Sequence, residues 1–464
     1  MADTLIRNIS HLVTFDDRDR ELAGADVLIS GQRIAAVGHD LEIDDSVEVI
    51  DGSGLLVLPG LINAHQHLYQ VGLRSFQELE RAPIHPWLTG LHVKTTYLWR
   101  QGYYTAASVG AVAKAGMVES LLGGVTTVAD QHYVFLEGKT EPFIEAMIEG
   151  AIETGIRFHA GRGSMTKGVS SGGVVPNISC QTIDEVLRHS QELIDTYHDP
   201  DPLAQIRIDL APCGVHTDQP EMYQQFAALA AETPGVGLHT HLYEVIDTKY
   251  CVDTYGLTPW KFLLENGWDH DGVWLAHMVD PPHEEIVDFA EVGVGIVHLI
   301  APDLRMGWGR APLRKYLDAG CKVGFGTTGS ASNDGCNQLG DLRIAALVHR
   351  DMNDPPHTWP SSRELLRLAT RGSAACMGRS DLGIIAPGMA ADIAAWDMTT
   401  IDRVGVHDPV VGLVLGGLSD RADLVLVNGE VVVREGRCTT VDERVVAQQA
   451  RDAVPIRPIG TPRR

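Results

Sequence analysis

Residues 57–67, VLPGLINAHQH, form an apolar run that ends in two histidines separated by one residue. A short apolar run of this kind is typical of a buried parallel strand. Helix-like segments separate it from similar runs further along the chain, and residues 104–124 are one such segment. The other runs lie at residues 125–132, 156–161, 206–213, 236–244, 273–279, 295–302 and 323–330. Eight strands that alternate with helices predict an α/β fold, a (β/α)8 barrel of the TIM type.

Both ends of the chain differ from this middle part, because they contain short strands broken by turn residues. At the C-terminal end, Asn428-Gly429 separates two β-branched runs in LVLVNGEVVV, a pattern typical of a type I′ hairpin. We therefore predict a small β-sandwich domain assembled from both termini, residues 1–59 and 389–464, beside a barrel formed by residues 60–388.

The length, net charge and cysteine pattern of the chain limit which domains and which binding partners are expected. A chain of 464 residues can hold a barrel of about 250 residues and a smaller domain. The formal net charge of −24 repels nucleic acid and anionic membranes, so we expect a neutral or cationic small molecule as the partner. The seven cysteines form no CxxC pair. This pattern predicts reduced thiols in a cytoplasmic protein, without a disulfide framework or a cysteine zinc site.

Histidines are concentrated where a barrel of this kind places its active site. That place is the carboxyl-terminal end of the strands, at the top of the barrel. Nine of the 20 histidines are assigned to the predicted strand ends: His65, His67, His132, His159, His216, His239, His241, His277 and His298. So many histidines at one rim indicate a site, whereas a single one would more often be a packed core residue.

Four of these histidines form a plausible metal site. His65 and His67 are two residues apart in one strand, so both side chains lie on the same face. His241 and His277 end the fifth and sixth strands and complete a set of four nitrogen ligands for Zn²⁺ or Fe²⁺. His239 shares a face with His241 and is either a further ligand or, as we favour, a residue behind the ligands. The alternative is a set of buried, hydrogen-bonded histidines.

One carboxylate lies beside this set. Glu244 follows His241 by three residues, just beyond the strand, where it could move a proton between an activated water and a ring nitrogen of a substrate. The alternative is that Glu244 is a solvated loop residue without a catalytic role. The aromatic side chains of Tyr69, Trp87, Tyr133 and Trp308 are candidates to stack on a flat heterocycle.

The motifs together resemble those of the amidohydrolase superfamily. HQH follows the first strand, HLYE the fifth, AH the sixth and GTTGSASND the eighth. Within the superfamily, the chain is similar to the branch of chlorohydrolases and nucleobase deaminases, and especially to bacterial triazine hydrolases. The resemblance implies one divalent metal, Zn²⁺ or alternatively Fe²⁺, and a homodimer. It also implies roles for individual residues: His65, His67, His241 and His277 as metal ligands, Glu244 as the catalytic acid/base, and Trp87, Gln131 and His132 as substrate contacts.

Thr328 departs from the superfamily pattern. Most members have an aspartate after strand eight, and here that position is Thr328 in GTTG. Four neutral imidazoles and a hydroxyl leave the charge of a divalent ion uncompensated, so a water there should ionise readily. With no second carboxylate to protonate an amine, Thr328 should favour good leaving groups.

We therefore predict a hydrolase that uses metal-activated hydroxide to displace chloride, methylthio or alkoxy groups from an s-triazine or similar N-heterocycle. The alternative is an aminohydrolase, or deaminase, of guanine-like or 8-oxoguanine-like bases or aminotriazines. A non-catalytic scaffold on the same barrel is disfavoured, because the whole ligand set is present.

Overall fold

A computed structural model describes residues 3–416 and 420–454, with the side chain of His85 left out. Its central element is an eight-stranded parallel sheet in which each strand pairs with the next one along the chain. The strands that precede it are β1 (Thr4–Ile9), β2 (His11–Val13), β3 (Glu21–Leu22), β4 (Ala25–Ser30), β5 (Arg33–Gly38), β6 (Glu48–Asp51) and β7 (Leu55–Pro59). The central strands are β8 (Leu61–Gln66), β9 (Val125–His132), β10 (Arg157–Ser164), β11 (Ile206–Pro212), β12 (Leu238–Leu242), β13 (Val273–His277), β14 (Gly295–His298) and β15 (Lys322–Phe325).

The central sheet nearly closes into a barrel. The backbone N–H groups of Thr327 and Thr328, just beyond β15, both donate to the carbonyl oxygen of His65 in β8, over 3.2 and 3.0 Å. The side chain of Asn63 also donates to the hydroxyl of Thr327 over 2.8 Å. The first and last strands are therefore joined at the end where the histidines lie, and the predicted (β/α)8 fold is confirmed.

Helices follow the strands and cover the outside of the barrel. Several begin and end with clear capping signals: Thr105 and Ser108 form a capping box at the start of the second helix, and Gly293 ends another with φ of 81°. The helices are α1 (Ile84–Arg100), α2 (Ala106–Leu122), α3 (Phe143–Thr154), α4 (Ile183–Tyr197), α5 (Pro220–Glu232), α6 (Asp247–Tyr255), α7 (Pro259–Glu265), α8 (Glu285–Val292), α9 (Ile300–Arg305), α10 (Leu313–Asp318), α11 (Ser330–Asn333), α12 (Gln338–Val348), α13 (Ser362–Arg367), α14 (Ser373–Cys376), α15 (Pro409–Leu415) and α16 (Glu443–Ala453).

Two further sheets form the small β domain. One has the order β5-β4-β1-β6, and the other combines both chain ends in the order β19-β18-β17-β16-β7-β2-β3. Apolar residues of both sheets, such as Ile6, Val27 and Ile393, share one buried core. The strands of the C-terminal part are β16 (Ile393–Asp397), β17 (Leu424–Val427), β18 (Glu430–Arg434) and β19 (Arg437–Cys438). The predicted sandwich built from both termini is confirmed.

The hairpin between β17 and β18 has the predicted turn. Asn428 and Gly429 both have positive φ, 51° and 78°, as a type I′ turn requires. The boundaries of the two domains, at residues 59/60 and 388/389, remain predictions, and the last ten residues of the second domain lie outside the described part. Within the described residues, none of the helices is long and apolar enough to cross a membrane.

Candidate metal centre

The carboxyl ends of three barrel strands bring four buried histidines together. His65 and His67 come from the end of β8, His241 from β12 and His277 from β13. The ring centroids of His65 lie 4.6 Å from His67 and 4.8 Å from His241, and those of His241 and His277 are 5.3 Å apart. Ring nitrogens of His65, His67 and His241 lie within 4.8 Å of one another, and the ring of His277 lies beside that of His241.

Hydrogen bonds fix which ring nitrogen of His67 and His241 carries a proton. Nδ1 of His67 lies 2.9 Å from the carbonyl oxygen of Gln131, and Nδ1 of His241 lies 2.5 Å from that of Cys213. A carbonyl oxygen can only accept, so both Nδ1 atoms donate. In the neutral imidazole, each Nε2 then keeps its lone pair and faces the centre.

His65 reaches the same state through a second histidine. Nδ1 of His239 donates to the carbonyl oxygen of Trp274 over 2.8 Å, so its Nε2 is an acceptor. Nδ1 of His65 lies 2.7 Å from that Nε2 and donates to it. His239 therefore lies behind His65, which agrees with the favoured interpretation, and Nε2 of His65 also keeps a lone pair.

His277 is held by a carboxylate. Its Nδ1 lies 2.6 Å from Oδ1 of Asp303, a fully buried residue of α9, while its Nε2 faces Glu244 Oε1 at 3.7 Å. Its backbone has φ of 74°, in the left-handed region that non-glycine residues rarely adopt. Strain of this kind costs about 1–3 kcal/mol and is concentrated at functional sites.

Burial keeps three of these imidazoles neutral. It lowers the pKa of His67 to about 3, and it lowers the pKa values of His65 and His241 well below the usual range. Burial alone would also lower the pKa of His277, but the charge and hydrogen bond of Asp303 outweigh it and raise that pKa. Neutral imidazole is the form that binds a metal.

The donor set fits a divalent cation. Nε2 of His67 and Nε2 of His241 lie 3.1 Å apart, although neither has a proton to share with the other. Zn–N bonds of 2.0–2.1 Å in tetrahedral geometry place neighbouring ligand atoms about 3.3 Å apart. Two lone pairs at this separation fit one shared cation.

Glu244 lies at the edge of the four histidines and is buried. Burial raises the pKa of Glu244 to about 7, and the negative charge of Asp247 acts in the same direction. Oδ2 of Asp247 accepts from the backbone N–H of Glu244 over 3.0 Å, and its Oδ1 lies 3.0 Å from Nδ1 of His216. A carboxyl group that is half protonated near neutral pH can both give and take a proton.

Thr328 lies next to His65. Its hydroxyl is 3.1 Å from Nε2 of His65, to which it donates, because that nitrogen has no proton. The backbone of Thr328 has φ of 50°, which is especially unfavourable for a β-branched residue. The strained conformation holds a neutral hydroxyl beside the ligands.

A small cavity of about 50 Å³ opens above the centre. Trp87 from α1 and Trp308 lie in its wall, and their indole N–H groups have no hydrogen-bond partner among the described residues. Among the described lining residues, none is a lysine or arginine, and Glu244 is the one carboxylic acid. The main apolar and aromatic lining residues are Ile84, Leu88, Tyr133, Met165, Val175, Pro302 and Met306.

Two residues predicted as substrate contacts lie outside the described lining of the cavity. Gln131 does not line the cavity, because its side-chain amide donates to the carbonyl oxygens of Ala211 and Pro212 beneath the wall. His132 is fully buried and packs edge-on against Tyr69, with centroids 5.2 Å apart, again outside the lining. Of the three predicted contacts, only Trp87 faces the cavity.

The placement of His159 at the rim is also wrong. β10 continues to Ser164, so His159 lies near the start of the strand. There its Nδ1 is 2.8 Å from Oδ2 of Asp209, and its Nε2 accepts from Arg379 over 3.1 Å. Both ring nitrogens are occupied, as in a structural residue.

Asp303 and Asp247 are not among the residues predicted from the sequence. Asp303 is 26 residues from His277 along the chain, and only the fold brings them into contact. Asp247 is three residues beyond Glu244, at the start of α6, and this spacing is the one local signal of its contact with the Glu244 backbone.

Comparison with known proteins agrees with this geometry. The model of the amidohydrolase family matches residues 56–434. An 8-oxoguanine deaminase from Pseudomonas aeruginosa is 35% identical over 95% of this chain and 96% of its own, and a hydroxydechloroatrazine ethylaminohydrolase from Pseudomonas sp. (strain ADP) is 32% identical over 97% and 95%. The crystal structure of an atrazine chlorohydrolase from Arthrobacter aurescens TC1, complexed with zinc, is 53% identical over 97% of this chain and 100% of its own, with a TM-score of 0.96.

Proposed function

This chain belongs to the amidohydrolase family, and we propose that it is a zinc-dependent hydrolase that displaces chloride, methylthio or alkoxy groups from s-triazines or similar N-heterocycles. One observation carries the proposal. Ring nitrogens of His65, His67 and His241 lie within 4.8 Å of one another, with His277 and a buried carboxyl group beside them, at the base of a cavity lined without lysine or arginine among the described residues.

The four histidines His65, His67, His241 and His277 would hold the cation. When bound, a divalent metal supplies a Lewis acid that lowers the pKa of a water towards 7. The hydrogen bonds to Nδ1 orient the four rings before any ion binds, so little ordering is left for the binding step. Zinc is favoured because nitrogen-only sets of this size suit it, and Fe²⁺ is the alternative.

Glu244 would move the protons. Its Oε1 lies 3.7 Å from Nε2 of His277, so it can reach both a water at the centre and a ring nitrogen of a substrate above it. Protonation of a ring nitrogen makes the neighbouring carbon more electron-poor and easier to attack. The raised pKa of about 7 places both protonation states within reach at neutral pH.

The cavity favours a flat, uncharged substrate. Its lining offers no fixed positive charge to a phosphate or carboxylate, whereas its aromatic walls suit a ring. The unpaired indole N–H groups of Trp87 and Trp308 would donate to acceptor atoms on the substrate, because a buried donor without a partner is costly.

Thr328 would set the preference for the leaving group. Chloride leaves without a proton, whereas an amine must be protonated first. Glu244 is the one carboxylic acid among the described lining residues, so a second proton donor for an amine is missing from that lining.

Deamination is the second candidate function. The 35% identity with an 8-oxoguanine deaminase over nearly the whole chain favours it. In that case Glu244 would both protonate the ring and pass a proton to the departing amine.

The two functions are distinguished by a panel of substrates that share one s-triazine ring and differ only in the group at the reacting carbon: chloro, methylthio, methoxy or amino. The rate at which each group is released is measured. We expect chloride release to be fastest and ammonia release slowest. Faster release of ammonia, on this ring or on purines, would replace the first proposal by the second. We also propose a homodimer, by resemblance, and a cytoplasmic location, from the pattern of cysteines. Light scattering would test the first and cell fractionation the second.

A further inference from the structure

Asp303 contacts the candidate centre from outside the cavity. Its side chain is fully buried in α9, and Oδ1 lies 2.6 Å from Nδ1 of His277. Among the described residues, Oδ2 has no hydrogen-bond partner. The side chain therefore makes one bond, to a histidine of the centre, and does not cap its own helix.

His277 is the one histidine of the four that is held by a carboxylate. His67 and His241 donate to backbone carbonyl oxygens, and His65 donates to His239. A carboxylate behind an imidazole fixes its tautomer, and it also makes the other ring nitrogen a stronger donor towards a metal. The acceptor in the hydrogen bond from His277 is thus a carboxylate, whereas the acceptors for the other three histidines are neutral.

Besides Asp303, the carboxyl group that faces the centre is that of Glu244, whose Oε1 lies 3.7 Å from Nε2 of His277 and which is proposed above to move protons. Thr328 places a neutral hydroxyl 3.1 Å from His65 Nε2, where an aspartate would bring a full charge. A buried carboxylate with an unpaired oxygen is itself unfavourable unless an opposite charge lies nearby. A divalent cation held by His277 would provide that opposite charge.

We propose that Asp303 is a positioning residue that supplies, through His277, the negative charge that Thr328 does not supply to the metal centre. The proposal rests on the metal centre proposed above. It assigns to Asp303 a part in metal retention rather than a contact with the substrate.

The test measures zinc affinity by equilibrating the holoenzyme with a competing chelator. Asp303→Asn keeps an acceptor for Nδ1 and removes the charge, and it should weaken zinc binding by about 10–100-fold. The matched control is Asp341→Asn: Asp341 is also buried, and its side chain accepts from Asn333 and bonds none of the four histidines. That control should stay within about threefold of the wild type.

A compensating change gives a second measurement. Thr328→Asp in the Asp303→Asn background should recover zinc affinity at least tenfold, whereas the same change in the wild type should gain less. The double variant also keeps the test possible if Asp303→Asn alone does not fold.

Three outcomes would overturn the inference: Asp303→Asn within threefold of the wild type, an equal loss in the Asp341 control, or no recovery in the double variant. A wild-type protein that retains no divalent metal would instead overturn the proposed function itself, so the two failures are distinguishable.

Discussion

Two buried clusters of histidines and charged residues lie at opposite ends of the barrel strands, and they differ in how their polar atoms are used. At the amino-terminal end of β10, Arg157 forms two hydrogen bonds with Asp392, of 2.9 and 3.0 Å, and Arg379 binds Nε2 of His159. At the carboxyl end, Nε2 of His67 and Nε2 of His241 face each other with no proton between them.

The difference shows what distinguishes a site from a structural network. Both clusters are buried, and both contain histidine and carboxylate side chains. In the amino-terminal cluster, Arg157 connects the barrel to Asp392 of the small β domain, and both nitrogens of His159 have partners. In the candidate metal centre, the Nε2 lone pairs of His67 and His241 face each other without a proton between them, and a bound cation would satisfy both. Unsatisfied acceptors, rather than buried histidines, therefore mark the site.

The largest expected effect is at Glu244. Glu244→Gln removes the titrating group but leaves the four histidines in place, so zinc should stay bound while turnover falls by roughly 10²–10⁴-fold. Turnover and metal content are measured on the same preparation. Glu145→Gln, at a glutamate that contacts His189 far from the cavity, is the matched control and should keep its rate. A near-normal rate in Glu244→Gln would remove this residue from the mechanism.

In the amino-terminal cluster, a substitution should affect stability and not chemistry. Asp392→Ala leaves Arg157 buried without its counter-charge and should cost about 3–5 kcal/mol in the free energy of unfolding. Denaturant titration measures this, and the turnover of the folded protein should not change. Glu48→Ala, which breaks an exposed pair with Arg434, should cost less than about 1 kcal/mol. Equal losses for the two variants would contradict the contrast between buried and exposed pairs.

Thr328→Asp should sharpen the contrast within the centre. The added carboxylate can protonate an amine, so the ratio of chloride release to ammonia release should fall by about tenfold, equivalent to 1.4 kcal/mol. Competition between chloro- and amino-substituted forms of one ring measures the ratio. Thr328→Ser, which keeps a neutral hydroxyl, should leave it unchanged. An unaltered ratio in Thr328→Asp would mean that Glu244 performs both proton transfers.

The smallest expected effect is a pH dependence of stability in the amino-terminal cluster. Burial would raise the pKa of Asp381, but hydrogen bonds and the charge of Arg379 outweigh it and lower that pKa. A carboxylate whose pKa is lowered in the folded state stabilises the fold at pH values above its ordinary pKa near 3.8. This stabilisation is lost as the pH falls below that value. Asp381→Asn should therefore be less stable at pH 7 by about 1–2 kcal/mol and show a smaller further loss between pH 5 and pH 3. The free energy of unfolding is measured against pH for the wild type and Asp381→Asn. Parallel curves would show that the lowered pKa of Asp381 does not stabilise the fold.

The sequence predicted the candidate centre well because its geometry is local to strand ends. The spacing of His65 and His67 puts both on one face, and the parallel strands bring His241 and His277 to the same rim. Contacts between residues far apart in the sequence could not be predicted from it. The main example is the contact between Asp303 and His277. The direction of β9 side chains could not be read either, since a strand buried on both faces has no polar alternation. The sequence therefore provided no basis for expecting Gln131 and His132 outside the described lining of the cavity.

The predicted first strand also differs from the structure. Residues 57–67 read as one run, but the chain divides at Gly60 into β7 of the small domain and β8 of the barrel. A Cβ at Gly60 would lie 2.2 Å from the side chain of Thr126, so only glycine allows this close approach. Composition could not reveal that neighbour, which comes from a strand more than sixty residues away.

Metal content tests the central claim most directly. Elemental analysis of extensively dialysed protein should find one zinc ion per chain in the wild type and in His159→Gln, whose side chain lies in the amino-terminal cluster, and almost none in His67→Ala. A folded wild type without metal, or a His67→Ala variant that retains the full amount, would contradict the account.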